Sequence, residues 1–210
     1  MRLYDYAASA NCYKPRLLLA LLDRPYERVA IDIFDGDTLT AEYAKLNPAR
    51  ETPVLELDDG TILTQSNAIL WYLAEETPFL PASSIERAQV AQWLHFEQER
   101  VMNGIGSVRF RTLTGRELTP ARFALGQTAL ELLQEHLADH AYLVGDRCSI
   151  ADLSNFAYAH VAEDAGYRLG DYPAVAAWLD RVAAQPRFVD DLEPYPDNAR
   201  PGAGRSIYDG

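Results

Sequence analysis

Apolar residues change their rhythm along this chain. Up to about residue 77 they come in short bursts: Leu3, Tyr4 and Tyr6, then Val29, Ile31 and Ile33, then Val54, Leu55 and Leu57, then Ile62 and Leu63. Runs of this length, bounded by Asp, Gly and Pro, are strand signals. Between them, Leu17, Leu18, Leu21 and Leu22 mark the apolar side of a helix from about 12 to 22, after a polar loop over 7–11. A short helix near 40–46 leads into Asn47-Pro48, and Ile69, Leu70 and Leu73 set a helix over 67–75. The predicted order is β-α-β-α-β-β-α. Its first crossover makes a parallel strand pair, which requires a helix between the two strands.

Beyond the Pro- and Ser-rich linker Pro78-Phe79-Leu80-Pro81-Ala82-Ser83-Ser84 the spacing is helical only. Helices are predicted over about 85–112, 120–138, 150–166, 174–185 and 188–192, with Gly145, Gly170, Pro173 and Pro186 as breakers. Gly104 and Gly106 are expected to bend the first of these. The fold class is therefore α+β, with a mixed domain at 1–77 and an all-α domain at 84–194. A Pro/Gly-rich tail at 195–210 is expected to drape over the surface or to stay disordered.

Composition narrows the function without naming it. The 210 residues, 48% of them hydrophobic, suit one large or two small domains with a sizeable core. Nineteen Lys and Arg against 31 Asp and Glu give a net charge of −12, which argues against nucleic acid and anionic membranes as partners. No apolar run approaches the roughly 20 residues of a membrane helix, Asp5 interrupts any signal sequence, and the cysteine usage suits a reducing cytoplasm, the expected location. Cys12 and Cys148 form no C-x-x-C, which excludes a dithiol redox pair and a zinc ribbon. His136 and His140 stand one helical turn apart but lack a third ligand, so no metal site is expected.

The most informative segment runs from Thr52-Pro53 through Val54-Leu55-Glu56-Leu57, Asp58-Asp59-Gly60 and Thr61-Ile62-Leu63-Thr64 to Gln65-Ser66-Asn67. Asp59-Gly60 is a hairpin signal, because Gly tolerates the positive φ such turns need. Ser66 reads as the N-cap of the following helix, and a helix start with a free hydroxyl and free N–H groups is a ready carboxylate site. In this order the segment resembles the second half of the thioredoxin-like domain of glutathione transferases. The resemblance implies a cis Pro53, with Thr52 offering its backbone N–H and C=O to the cysteinyl part of glutathione. It also implies that Gln65 and Ser66 bind the γ-glutamyl end. A second match is Cys148-Ser149-Ile150-Ala151-Asp152, a capping box that the family carries on a buried helix, so Asp152 is expected to serve folding.

The same resemblance places the chemistry at Ser9-Ala10-Asn11-Cys12-Tyr13-Lys14. Many bacterial members carry Ser or Thr, then Asn two residues on, then Lys, and Ser9, Asn11 and Lys14 match. Ser9 and Asn11 are the expected catalytic residues, able to donate hydrogen bonds to a thiolate beside a helix N-terminus. Cys12 is the alternative: facing glutathione it would run thiol–disulfide exchange, whereas facing the core it would be a small hydrophobe. Tyr13, Val108, Arg109, Phe110 and Arg111 are candidates to line the electrophile site. The resemblance thus implies a homodimeric glutathione S-transferase with glutathione as co-substrate and no prosthetic group, adding glutathione to a small electrophile. A glutathione-dependent disulfide reductase and a non-catalytic binding protein on the same fold remain the alternatives.

Overall fold

A computed structural model describes residues 1–208. The chain divides into two compact units, one of Met1–Leu73 joined by the stretch from Asp190 onward, the other of Ala74–Val189.

The first unit is built on a four-stranded sheet in the order β2-β1-β3-β4. β1 (Arg2–Asp5) pairs in parallel with β2 (Glu27–Ala30) and antiparallel with β3 (Val54–Glu56), which pairs antiparallel with β4 (Ile62–Thr64). β2 stops at Ala30, short of the apolar run to Ile33, because its partner β1 ends at Asp5, whose C=O accepts from Ile31 N–H at 2.9 Å. The chain then turns as Asp32 Oδ1 accepts from Phe34 N–H. Gly60, at φ 84°, closes the β3–β4 hairpin, and Leu57 N–H reaches Thr61 O at 2.9 Å.

Three helices complete the unit: α1 (Ala10–Leu21), α2 (Ala41–Leu46) and α3 (Ser66–Ala74). Leu3, Leu17, Leu18, Val54, Leu55, Ile69 and Leu70 are fully buried as its core. Burying such a side chain contributes about 1.5–3 kcal/mol.

In the helical unit the long helix predicted over 85–112 is three segments. α4 (Ser84–Phe96) passes into a π-helical run, Glu97–Gly106, and then into α5 (Ser107–Thr114). The two glycines of the run serve close packing. A Cβ on Gly104 would lie 2.5 Å from the Gly126 backbone nitrogen, and one on Gly106 would lie 2.5 Å from the Tyr158 ring. α6 (Pro120–Asp139), α7 (Ile150–Ala159) and α8 (Pro173–Ala183) follow. α7 ends at Ala159, short of the predicted 166, and a 3-10 turn at Ala162–Ala165 closes on Gly166 in the left-handed region. Residues 188–192 are not helical.

The capping box at the start of α7 is present. Ser149 Oγ accepts from Ala151 N–H, and Asp152 Oδ2 accepts from Ser149 N–H at 2.9 Å. Asp152 Oδ1 accepts from Leu143 N–H and from Trp178 Nε1, both at 2.9 Å. Ser149 Oγ also donates to Asp152 Oδ2, at 3.0 Å. Burial pushes this carboxyl up from its ordinary range while these four hydrogen bonds to it oppose the shift. Arg109, a candidate for the electrophile site, is buried with Nε donating to Asp164 at 2.9 Å, and Arg111 donates to Glu117 O. Both therefore brace their own unit. His136 and His140 stack with centroids 4.2 Å apart. Among the described residues no three His, Cys, Asp or Glu side chains gather as a metal site, and no helix is long and apolar enough to cross a membrane.

The stretch after Asp190 is packed rather than loose. Arg16, fully buried, donates through Nε to both carboxylate oxygens of Asp191 at 3.0 and 3.1 Å and through Nη1 to Asp5 at 2.6 Å. Glu193 N–H donates to Ala7 O, Asn198 Nδ2 to Asp32, and Arg205 N–H to Phe34 O at 2.7 Å. Tyr195 and Tyr208 lie against Tyr6 and Phe34.

Candidate functional site

Two helix starts and one loop of the first unit meet at one place. α1 begins at Ala10 because Ser9 caps it: Ser9 is extended (φ −85°, ψ 120°) and its Oγ accepts from Cys12 N–H. That bond is long, at 3.4 Å, so the cap is loose. Asn11 lies in the first turn, where its carbonyl oxygen accepts from Ser66 Oγ at 3.1 Å and from Lys14 Nζ at 2.9 Å. Lys14 is itself fully buried, and Nζ also reaches Ser66 Oγ at 3.3 Å and Asn67 Oδ1 at 3.5 Å.

Ser66 differs from its predicted place. It is the first residue of α3, not the cap: Gln65 holds the cap position, with its C=O accepting from Ile69 N–H. The hydroxyl of Ser66 turns to Asn11 and Lys14 instead of to its own helix. Gln65 is left-handed at φ 68°, a conformation that costs a non-glycine residue about 1–3 kcal/mol and recurs at functional sites. Its exposed side chain donates to Glu51 Oε2 at 3.4 Å.

The Thr52-Pro53 peptide is cis. The turn before it is held by Tyr43 Oη and Asn47 Nδ2, which both donate to Glu51 O at 2.9 Å. Neither the N–H nor the C=O of Thr52 takes a partner among the described residues. The Thr52 and Ser9 hydroxyls flank the Cys12 sulfur. Ser9, Cys12 and Thr52 thus lie together, Asn11 and Ser66 are hydrogen-bonded, and Pro53 and Gln65 adjoin them along the chain.

Cys12 faces inward. It is fully buried, its sulfur accepts from Tyr6 N–H, and burial pushes its thiol up to about 11, with the Asp5 carboxylate adding to the shift. The helix start favours a thiolate, but desolvation outweighs it. Tyr13 is also fully buried, with the Arg16 guanidinium 5.7 Å from its ring centre. The residue that sequence reasoning left without a role is Lys14. Its signal was present, since it follows Asn11 by three residues and so shares that face of a helix.

A four-stranded mixed sheet with open helix starts at one end, followed by an all-helical unit, is a thioredoxin-like domain carrying a helical domain. The pattern described as "Glutathione S-transferase, N-terminal domain" matches residues 8–76, and that described as "Glutathione S-transferase, C-terminal domain" matches residues 116–186. A glutathione S-transferase structure from Pseudomonas fluorescens Pf-5 is similar at 42% identity and a TM-score of 0.88, covering 91% of this chain and 98% of that one. A maleylacetoacetate isomerase of Rhizobium meliloti is 33% identical over 215 residues, 95% of this chain and 97% of the relative. Glutathione S-transferase GstA of Escherichia coli O157:H7 is 29% identical over 201 residues, 91% and 97% of the two chains. The chain belongs to the glutathione S-transferase family, and membership implies use of glutathione.

Proposed function

We propose that this protein is a glutathione S-transferase in activity, holding the glutathione thiol as a thiolate for addition to a small electrophile. The observation that carries this is the meeting of the α1 and α3 starts through Asn11 and Ser66, beside a Thr52 whose backbone groups are open. On this reading Thr52 takes the cysteinyl backbone, Gln65 and Ser66 take the γ-glutamyl end, and Ser9 and Asn11 face the sulfur.

The magnitudes are sufficient. Each unit of thiol depression from about 8.5 takes about 1.4 kcal/mol. A hydrogen bond to a charged group supplies about 1.5–3 kcal/mol, and a helix start about 0.3–1 kcal/mol. A depression of about one to two units follows. The burial of Cys12 favours this reading over a disulfide exchange run by its thiol. A homodimer in a cytoplasmic location accompanies the proposal.

The kinship with maleylacetoacetate isomerases supports a second reading. Thiolate addition to a conjugated cis double bond, rotation, and expulsion of the thiolate would return glutathione unconsumed. The test is the thiolate absorbance of bound glutathione against pH, in wild type and Ser9→Ala. A depressed thiol pKa in wild type, moving back toward the free value in Ser9→Ala, is the expected result. Binding with no depression would overturn thiol activation. Whether glutathione is consumed during turnover separates conjugation from isomerisation.

A further inference from the structure

Lys14 is a charged side chain with no exposed surface, and unlike buried Arg16, which is paired with Asp5 and Asp191, it stands among neutral oxygens. A buried ammonium is costly unless it is surrounded by acceptors. Its neighbours include Asn11 Oδ1, Ser66 Oγ and Asn67 Oδ1, from two helices that meet at the proposed thiol site. The ammonium has three protons to give and no lone pair to accept with. The Asn11 atom 2.9 Å from it must therefore be the carbonyl oxygen, and the amide nitrogen must point the other way. The Ser66 hydroxyl, 3.1 Å from the same oxygen, reinforces that orientation. No described residue takes the Asn11 Nδ2 protons.

We propose that Lys14 is a positioning residue: it locks the Asn11 side-chain amide with its oxygen inward, so that Nδ2–H is presented as a donor to the substrate sulfur. This rests on the thiol-activating reading above and assigns a part to a residue outside the proposed contact set. Without the ammonium the amide could rotate by half a turn at little cost, and its oxygen would then face a thiolate and repel it. Lys14 also places a positive charge one helical turn from the site, which favours the anionic sulfur in the same direction.

The experiment uses the full chain in Lys14→Met, Asn11→Ala and the double variant. Two readouts are taken. The first is the NMR order parameter of the Asn11 side-chain amide in the absence of glutathione. A rigid amide in wild type that becomes mobile in Lys14→Met is expected, and an equally rigid amide in both overturns the proposal. This arm does not depend on glutathione, so it stands apart from any failure of thiol activation. The second is the thiol pKa of bound glutathione. Lys14→Met is expected to raise it by about one unit, as Asn11→Ala does, and the double variant to raise it little further, since coupled residues are not additive. A full additive shift, or none in Lys14→Met where Asn11→Ala shifts, would show that Lys14 does not act through Asn11. Should Lys14→Met not fold, Lys14→Gln carries both readouts: its neutral, shorter side chain is expected to leave the amide partly ordered and the pKa between those of wild type and Asn11→Ala.

Discussion

The starts of α1 and α7 use the same chemistry to opposite ends. Each opens on a serine N-cap in extended conformation. At α7 every acceptor is taken: Asp152 receives bonds from Leu143, Ser149 and Trp178, all within 3.0 Å, and the group is sealed from solvent. At α1 the cap bond is stretched to 3.4 Å, no acidic residue sits in the first turn, and Asn11 keeps its amide protons unspent. A helix start whose donors are satisfied internally is a fastening. One whose donors are left open is a place for an anion. The difference lies in what stands behind the serine: at α7 a carboxylate, at α1 an amide backed by a buried lysine.

Breaking the closed start should cost most. Asp152→Ala strands the Leu143, Ser149 and Trp178 donors in a dry interior and should lower stability by about 3–5 kcal/mol, read as a shift of the urea midpoint. The next effect concerns the thiol behind the open start. The folded Cys12 thiol titrates at about 11, above its ordinary 9.0, so the fold favours the protonated form. Its contribution is complete below the unfolded value and is lost as pH rises through that window, by up to about 2–3 kcal/mol. Stability measured from pH 8 to 11 should therefore fall more steeply in wild type than in Cys12→Ala; parallel curves would contradict the assigned burial effect.

Asn11→Ala removes one acceptor from Lys14 and should cost about 1–2 kcal/mol in chemical denaturation, while raising the thiol pKa of bound glutathione. Ser9→Ala should be the mildest in stability, about 0.5–1 kcal/mol, since its cap bond is already long. If Ser9→Ala cost as much as Asp152→Ala, the contrast between the open and closed starts would collapse.

What could be read from sequence was local. The Asp59-Gly60 hairpin, the Ser149–Asp152 box and the Thr52-Pro53 entry each depend on residues a few positions apart, and each is present. What could not be read depends on distant partners. Ser66 looks like a cap until Asn11 and Lys14, more than fifty residues earlier, claim its hydroxyl. Gly104 looks like a bend until Gly126 is brought against it. The tail at 195–210 looks loose because it carries Pro196, Pro201, Gly202 and Gly204, whereas Asn198 and Arg205 are held by Asp32 and Phe34, more than a hundred and sixty residues earlier. Cys12 shows the limit most plainly, since a first-turn cysteine can be read as a reactive thiol or as a small core residue until its burial is known.

The thread from Asp190 onward also sets an order of manufacture. A ribosome releases the sheet, α1 and the cis-proline turn first, yet Arg16 receives Asp191 and Ala7 receives Glu193 only after the whole helical unit has been synthesised. The portion translated earliest is thus completed late, and a nascent chain halted before Asp191 carries the Ser9 loop without two of its tethers.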